Sequence, residues 1–271
     1  MTDLVRIASL LAASLLLGCA TQAPPPAPEP APEPVVVEPP TPEPVRPPPP
    51  PEPDKSELRI SIAAVGDMMI GTDYPQNHLP DDDGVSFLAD VAPYLQRADI
   101  AFGNLEGVLI DGGEPAKKCK NLNACYLFRS PPRYAQHYAD AGFDVVSLAN
   151  NHARDFGEEG REASAAAMEA VGVAASGFEG TWSLLEDDDL SVAFVNYAVT
   201  KNSNMLLDYE TAFAWIAKLD EEVDIVVVTF HGGAEGVDTT HVPFAEEEYY
   251  GEPRGDVVYF ARGVVDAGAD L

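Results

Sequence analysis

Basic residues, cysteines and long apolar runs are all scarce in this chain, and each scarcity excludes something. Sixteen Lys and Arg stand against 45 Asp and Glu, a formal charge of −29 at pH 7. A nucleic-acid partner is excluded, because binding to a phosphate backbone is driven by a cationic surface. The same charge repels a polyanionic substrate, so chemistry on one would call for bound cations. Three cysteines are too few for the disulfide-dense scaffold of a small secreted domain. No apolar run approaches the ~20 residues that a membrane-spanning helix needs.

What is present divides the chain into three parts. Residues 1–18 read as a signal peptide: a short, weakly cationic start, then an apolar stretch over 7–17 that suits a secretory h-region. It runs into Leu16-Leu17-Gly18-Cys19, which resembles a bacterial lipoprotein lipobox and implies cleavage before Cys19 and lipidation of its thiol. The plainer alternative is an ordinary signal peptide with an incidental Cys. Ala20 rather than Asp follows, which in Gram-negative lipoproteins implies sorting to the outer membrane. Residues 19–53 form the tether: 17 of the 25 prolines fall in residues 22–53. With donors missing and φ fixed, such a segment forms neither helix nor ladder. As an extended spacer it could reach roughly 100 Å. A role as an SH3-like ligand is the other reading of such sequence, and a membrane tether fits better.

Residues 54–271 are long enough for one sizeable core. They alternate short apolar runs with amphipathic stretches, which predicts an α/β domain. Strands are expected at 58–65, 99–102, 144–148, 191–199 and 224–230. Helices are expected at 85–97, 132–141, 158–171, 209–219 and 255–267. The acidic run over residues 186–189 reads as a solvated hairpin turn. Cys119 and Cys125, close in an exported chain, predict a disulfide worth about 2 kcal/mol. A zinc site there lacks ligands, since the nearest imidazole, His137, has no His partner close by. The end, Val265-Asp266-Ala267-Gly268-Ala269-Asp270-Leu271, looks like the approach to a further strand and suggests a truncated sequence.

Four of the expected strands end in groups suited to metal binding or proton transfer. The first runs into Gly66-Asp67-Met68-Met69, the second into Gly103-Asn104-Leu105-Glu106-Gly107. The third is followed by Asn150-Asn151-His152-Ala153-Arg154-Asp155, and the fifth by His231-Gly232-Gly233-Ala234-Glu235. A structural loop needs Asn or Asp for an Asx-type turn, but it has little use for Asn-Asn-His together. In a largely parallel sheet the carboxyl ends converge on one edge. Asp67, Glu106, Asn151 and His231 would then offer oxygen and imidazole ligands to one or two divalent ions, a mixture suited to Mn, Fe or Zn.

These motifs resemble those of the CapA family of poly-γ-glutamate capsule biosynthesis proteins, related to the calcineurin-like metallophosphoesterases. The resemblance runs from about Leu58 to the end. It implies a four-layer α/β/β/α sandwich of the metallophosphoesterase type around a binuclear metal centre. By motif, Asp67, Glu106, Asn151 and His231 would be ligands, with Glu235 at the rim or on metal. His152 would be the general acid or transition-state donor, oriented by Asp155, and Asn104 and Asn150 would contact substrate. The chain departs from the family in carrying Gly232 where members have an aromatic residue. Members also continue past the final Gly-Ala-Asp-Leu into a Gly-His-x-His-like segment with further ligands.

The expected function is that of a lipid-anchored envelope protein working with the capsule polymer machinery. Its chemistry would be metal-assisted hydrolysis or transfer on a phosphoester or a γ-glutamyl amide of an anionic polymer. The rival readings are a non-catalytic factor that binds or guides polymer during export, and a plain binding lipoprotein without metal.

Overall fold

The computed structural model describes residues 58–116, 126–186 and 190–271. Cys19, the proline-rich tether and the Cys119–Cys125 pair lie outside these residues. Two sheets form the centre. The first has the order β1 (Ile62–Met68), β2 (Ile100–Leu105), β5 (Val145–Ser147), β6 (Ala174–Ser176), all parallel. The second has β10 (Ile225–His231) parallel to β8 (Ser191–Ala198), with β7 (Ser183–Glu186) antiparallel on the other side of β8 and the short β9 (Asn204–Met205) pairing its end. Two-residue strands β3 (Val108–Leu109) and β4 (Arg129–Ser130) pair beside the first sheet, and β11 (Glu247–Tyr249) with β12 (Glu252–Gly255) makes a hairpin.

Side-chain alternation dictates how the layers stack. On β2, Ile100 and Phe102 point between the sheets, while Ala101 and Leu105 point away. On β8, Val192 and Phe194 face inward and Val195 and Tyr197 outward. The rings of Phe102 and Phe194 stack across the gap at 5.7 Å. The outer face of the first sheet is covered by α1 (Ala92–Leu95), α2 (Ala135–Ala141) and α3 (Gly157–Ala170), through Leu95, Tyr138 and Met168. The outer face of the second is covered by α4 (Tyr209–Asp220) and α5 (Val257–Asp266), through Ile216, Phe260 and Val264. The result is the expected α/β/β/α sandwich, built from a mixed α/β set of elements.

Two helix expectations are corrected. The helix expected over 85–97 contracts to Ala92–Leu95. Pro93 sits at its first turn, where a missing N–H costs nothing, but a helix arriving from Val85 would carry the ring into the carbonyl of Ala89. Upstream, successive three-residue turns replace the helix, with Phe87 N on Gly84 O and Ala89 N on Ser86 O. The last helix also starts later than expected, at Val257, because residues 252–255 form β12 and the Asp256 side chain caps Tyr259 N at 2.8 Å. At the other end of α5, Asp270 N bonds Val226 O and Leu271 O accepts Val228 N, both at 2.9 Å, along the edge of β10. Among the described residues no helix is long and apolar enough to cross a membrane.

Candidate metal centre

The apolar gap between the sheets turns polar at the carboxyl ends of the strands. Residues two apart on one strand share a face, so Asn104 continues the inward row of Ile100 and Phe102, and His231 continues that of Ile225 and Val227. Asp67 has the wrong parity for this row: Ile62 faces inward, so an even strand would aim Asp67 at the helices. A bulge between Ala64 and Asp67 corrects it, pairing Ala64 with Phe102 but Asp67 with Asn104. A bulge re-aims a side chain at a functional edge in this way.

Three of the expected ligands meet. One ligand atom from each of Asp67, Glu106 and His231 lies within 4.8 Å of the other two. Asn104 Nδ2 donates to Asp67 Oδ1 at 2.7 Å and lies 3.5 Å from His231 Nδ1. His231 Nε2 donates to Asn151 Oδ1 at 2.7 Å, which leaves a lone pair on Nδ1. That nitrogen is 3.7 Å from Asp67 Oδ1, and Nε2 is 3.9 Å from Glu106 Oε1. Burial holds the His231 imidazole below the ordinary histidine value, helped by Arg254 and His152 and opposed by Asp67 and Glu235. A neutral ring nitrogen and two carboxylates at this spacing suit a hard or borderline divalent cation.

The Asn150-Asn151-His152 loop combines a turn with a site. Asn150 is fully buried, and its Oδ1 accepts the N–H groups of His152 (3.0 Å) and Ala153 (2.7 Å). Its Nδ2 donates to Asn104 Oδ1 (3.0 Å) and Leu105 O (2.9 Å). Asn150 thus makes an Asx-type turn and ties the loop to β2, a positional role in this conformation. The turn presents Asn151 to His231 and aims His152 at Glu106, with Nε2 4.0 Å from Glu106 Oε1. His152 Nδ1 bonds the buried Asp155 at 2.8 Å. Glu235 stands outside the triad, ion-paired to Arg254 at 2.7 Å.

Two residues at the site were not expected from the sequence. Phe128 packs its ring 4.3 Å from that of His152 and donates its N–H to Asp155 Oδ2 at 2.7 Å. Arg254 is buried, donating to Gly233 O and Glu235 Oε1 at 2.7 Å each, and so fixes the turn after His231. The only hint of it was a lone cation after a run of acids. Gly232 is explained by the same hairpin. A Cβ there would lie 3.1 Å from the backbone oxygen of Arg254 and 2.8 Å from Leu206 Cδ1, so an aromatic residue has no room.

The model of the family described as bacterial capsule synthesis protein PGA_cap matches residues 61–271. The capsule biosynthesis protein CapA of Bacillus anthracis is 26% identical over 246 residues, 79% of this chain and 53% of that protein. The PGA biosynthesis protein CapA of Bacillus subtilis is 24% identical over 234 residues, 78% of this chain and 56% of that protein. The chain therefore spans about half the length of these curated relatives. A crystal structure of a hypothetical protein from Thermus thermophilus overlaps 64% of this chain and 57% of its own at 20% identity, with a TM-score of 0.37.

Proposed function

The chain belongs to the PGA_cap family of bacterial capsule synthesis proteins, and from that premise we propose that it is a metal-dependent hydrolase of the cell envelope acting on capsule polymer or its precursors. The observation that carries this reading is the meeting of Asp67, Glu106 and His231, drawn from two sheets, beside an imidazole held by Asp155. Asp67, Glu106, Asn151 and His231 would hold divalent ions, two of them in this reading, with Mn, Fe or Zn suited to the donors. Such ions would offset the charge of a phosphoryl or carboxyl oxygen approaching a chain of net charge −29, and would activate water.

The remaining work falls to the chain's own groups. Asp155 fixes the His152 ring through Nδ1, so that Nε2 is the nitrogen placed to hand a proton to a leaving group. Asn150 and Asn104 hold the loop and the Asp67 carboxylate in register. Both phosphoesters and γ-glutamyl amides present an oxygen to the same cations, so either class of substrate fits. A lipid on Cys19 and the proline-rich tether would keep the domain at the outer membrane, beside the polymer-synthesis machinery.

Elemental analysis of the purified chain, with an activity screen over phosphoesters and poly-γ-glutamate, tests the reading. Bound divalent metal and turnover that a chelator abolishes are expected. Protein that neither carries nor takes up Mn, Fe or Zn would overturn it.

A further inference from the structure

His152, the proposed acid, has an apolar side that the hydrolase reading leaves unused. The Phe128 ring packs 4.3 Å from the His152 ring, and the Tyr126 ring follows at 6.5 Å from that of Phe128. Glu106 N donates to Met68 O at 3.1 Å, and Val108 N donates to Phe128 O at 3.0 Å. Glu106 and Gly107 are therefore strung between the segments that carry Met69 and Phe128. Gly107 leaves the space between those side chains open: a Cβ there would stand 3.1 Å from Phe128 Cβ and 3.9 Å from Met69 Cγ. Met69, Phe128 and Tyr126 thus make one apolar strip that borders Glu106 and runs past His152.

The strip is within reach of a ligand. Tyr126 is 65% exposed, Met69 is 36% exposed and Phe128 is half-buried. The His152 side chain keeps 12% of its own surface open. Apolar surface left in water gains free energy when a ligand covers it. Two rings offer flat faces for this, and a thioether adapts to an irregular apolar shape.

Proton transfer from Nε2 needs the leaving-group atom within hydrogen-bond reach of His152. Whatever that atom carries then lies beside the imidazole, where the strip is. The leaving group of a γ-glutamyl amide in an anionic polymer carries carboxylates, and the guanidinium groups of the neighbouring segments are already engaged. Arg129 pairs with Asp73 at 2.6 Å, Arg154 with Glu158 at 2.6 Å and Arg254 with Glu235 at 2.7 Å. An apolar alcohol needs no such partner and covers the strip. Building on the hydrolase reading, we infer that Met69, Phe128 and Tyr126 form the leaving-group subsite of the metal centre and select a phosphoester of an apolar alcohol. In that hydrolysis water forms the new P–O bond, the P–O bond to the alcohol breaks, and the departing oxygen takes its proton from His152 Nε2. The proton released by water restores the ring.

Benzyl phosphate and methyl phosphate test this, because they share the reacting group and their alcohols are of similar acidity. For the metal-loaded full chain, kcat/KM should be about tenfold higher for the benzyl ester. Calorimetric titration with benzylphosphonate and methylphosphonate, whose P–C bond resists hydrolysis, should show the same order of affinity without turnover. Tyr126→Ala, at an exposed side chain, and Phe128→Leu, which keeps an apolar side chain, should each bring both ratios toward one. Circular dichroism checks that the two variants fold. Equal handling of benzyl and methyl compounds, ratios unaltered in both variants, or turnover confined to poly-γ-glutamate would overturn the subsite and leave the hydrolase reading standing. A chain that binds no metal and turns over no substrate would end that reading, and the subsite with it.

Discussion

The Nδ1 atom of His152 lies 2.8 Å from Asp155 Oδ2, and the same carboxylate oxygen accepts the N–H of Phe128 at 2.7 Å. Asp155 is wholly buried, so these bonds form in a medium of low dielectric and hold one ring orientation firmly. With Nδ1 committed as donor, Nε2 is the nitrogen turned toward Glu106 and the proposed centre. The i,i+3 spacing of His152 and Asp155 lets one short loop carry both members.

His152→Asn should keep bound metal and lose turnover by about 10²- to 10⁴-fold, the usual worth of general acid catalysis. Asp155→Asn should lower kcat more than it raises KM, because it misdirects the ring without touching substrate. Retained turnover in His152→Asn, measured beside its metal content, would defeat the acid role.

Asp67→Asn or His231→Ala should reduce bound metal in elemental analysis of the purified protein. The pH dependence follows from His231, whose folded value lies below the ordinary 6.5 because the ring is buried. Only the deprotonated ring can ligate, so metal should be lost as the pH falls through the folded value, which lies below 6.5. The sign for stability is the same. The unfolded chain takes up this proton first, so stability falls as pH drops below 6.5 and the loss levels off beneath the folded value.

Asn150→Ala removes two buried acceptor contacts and two donor contacts at once. A cost of about 3 kcal/mol, or a Tm lower by about 10 °C, is expected in thermal unfolding. Turnover should fall as well, because the loop that presents Asn151 and His152 loses its tie to β2.

Gly232→Ala should destabilise by about 1–3 kcal/mol through overpacking against Leu206 and the Arg254 backbone. A larger aromatic residue should fold only if the hairpin of β11 and β12 moves. Chemical denaturation of Gly232→Ala and Gly232→Tyr checks both statements.

Cys19→Ala should release the protein from the membrane fraction into the soluble fraction after cell breakage. Membrane association unaltered by this substitution would remove the lipid anchor from the functional reading.

The elements were legible in the sequence to within a few residues wherever apolar periodicity was strong. Helices α3 and α4 and strands β8 and β10 fall almost where the pattern put them. The short strands β3, β4, β6, β7, β9, β11 and β12 were not legible, because two to four residues carry no period. The helix over 85–97 misled because amphipathic spacing outweighed a single proline in the pattern but not in the backbone.

By itself the sequence determined the chemistry available: which carboxylates, amides and imidazoles sit at strand ends, and a charge that calls for cations. It determined the inward rows as well, since alternation along β2, β8 and β10 is a local property. The tertiary structure alone decided that those ends come from two facing sheets and still meet. It also decided that a bulge after Ala64 turns Asp67 from the helix side toward His231. Register and sheet packing are set by contacts between segments far apart along the chain, and no local pattern encodes a one-residue slip.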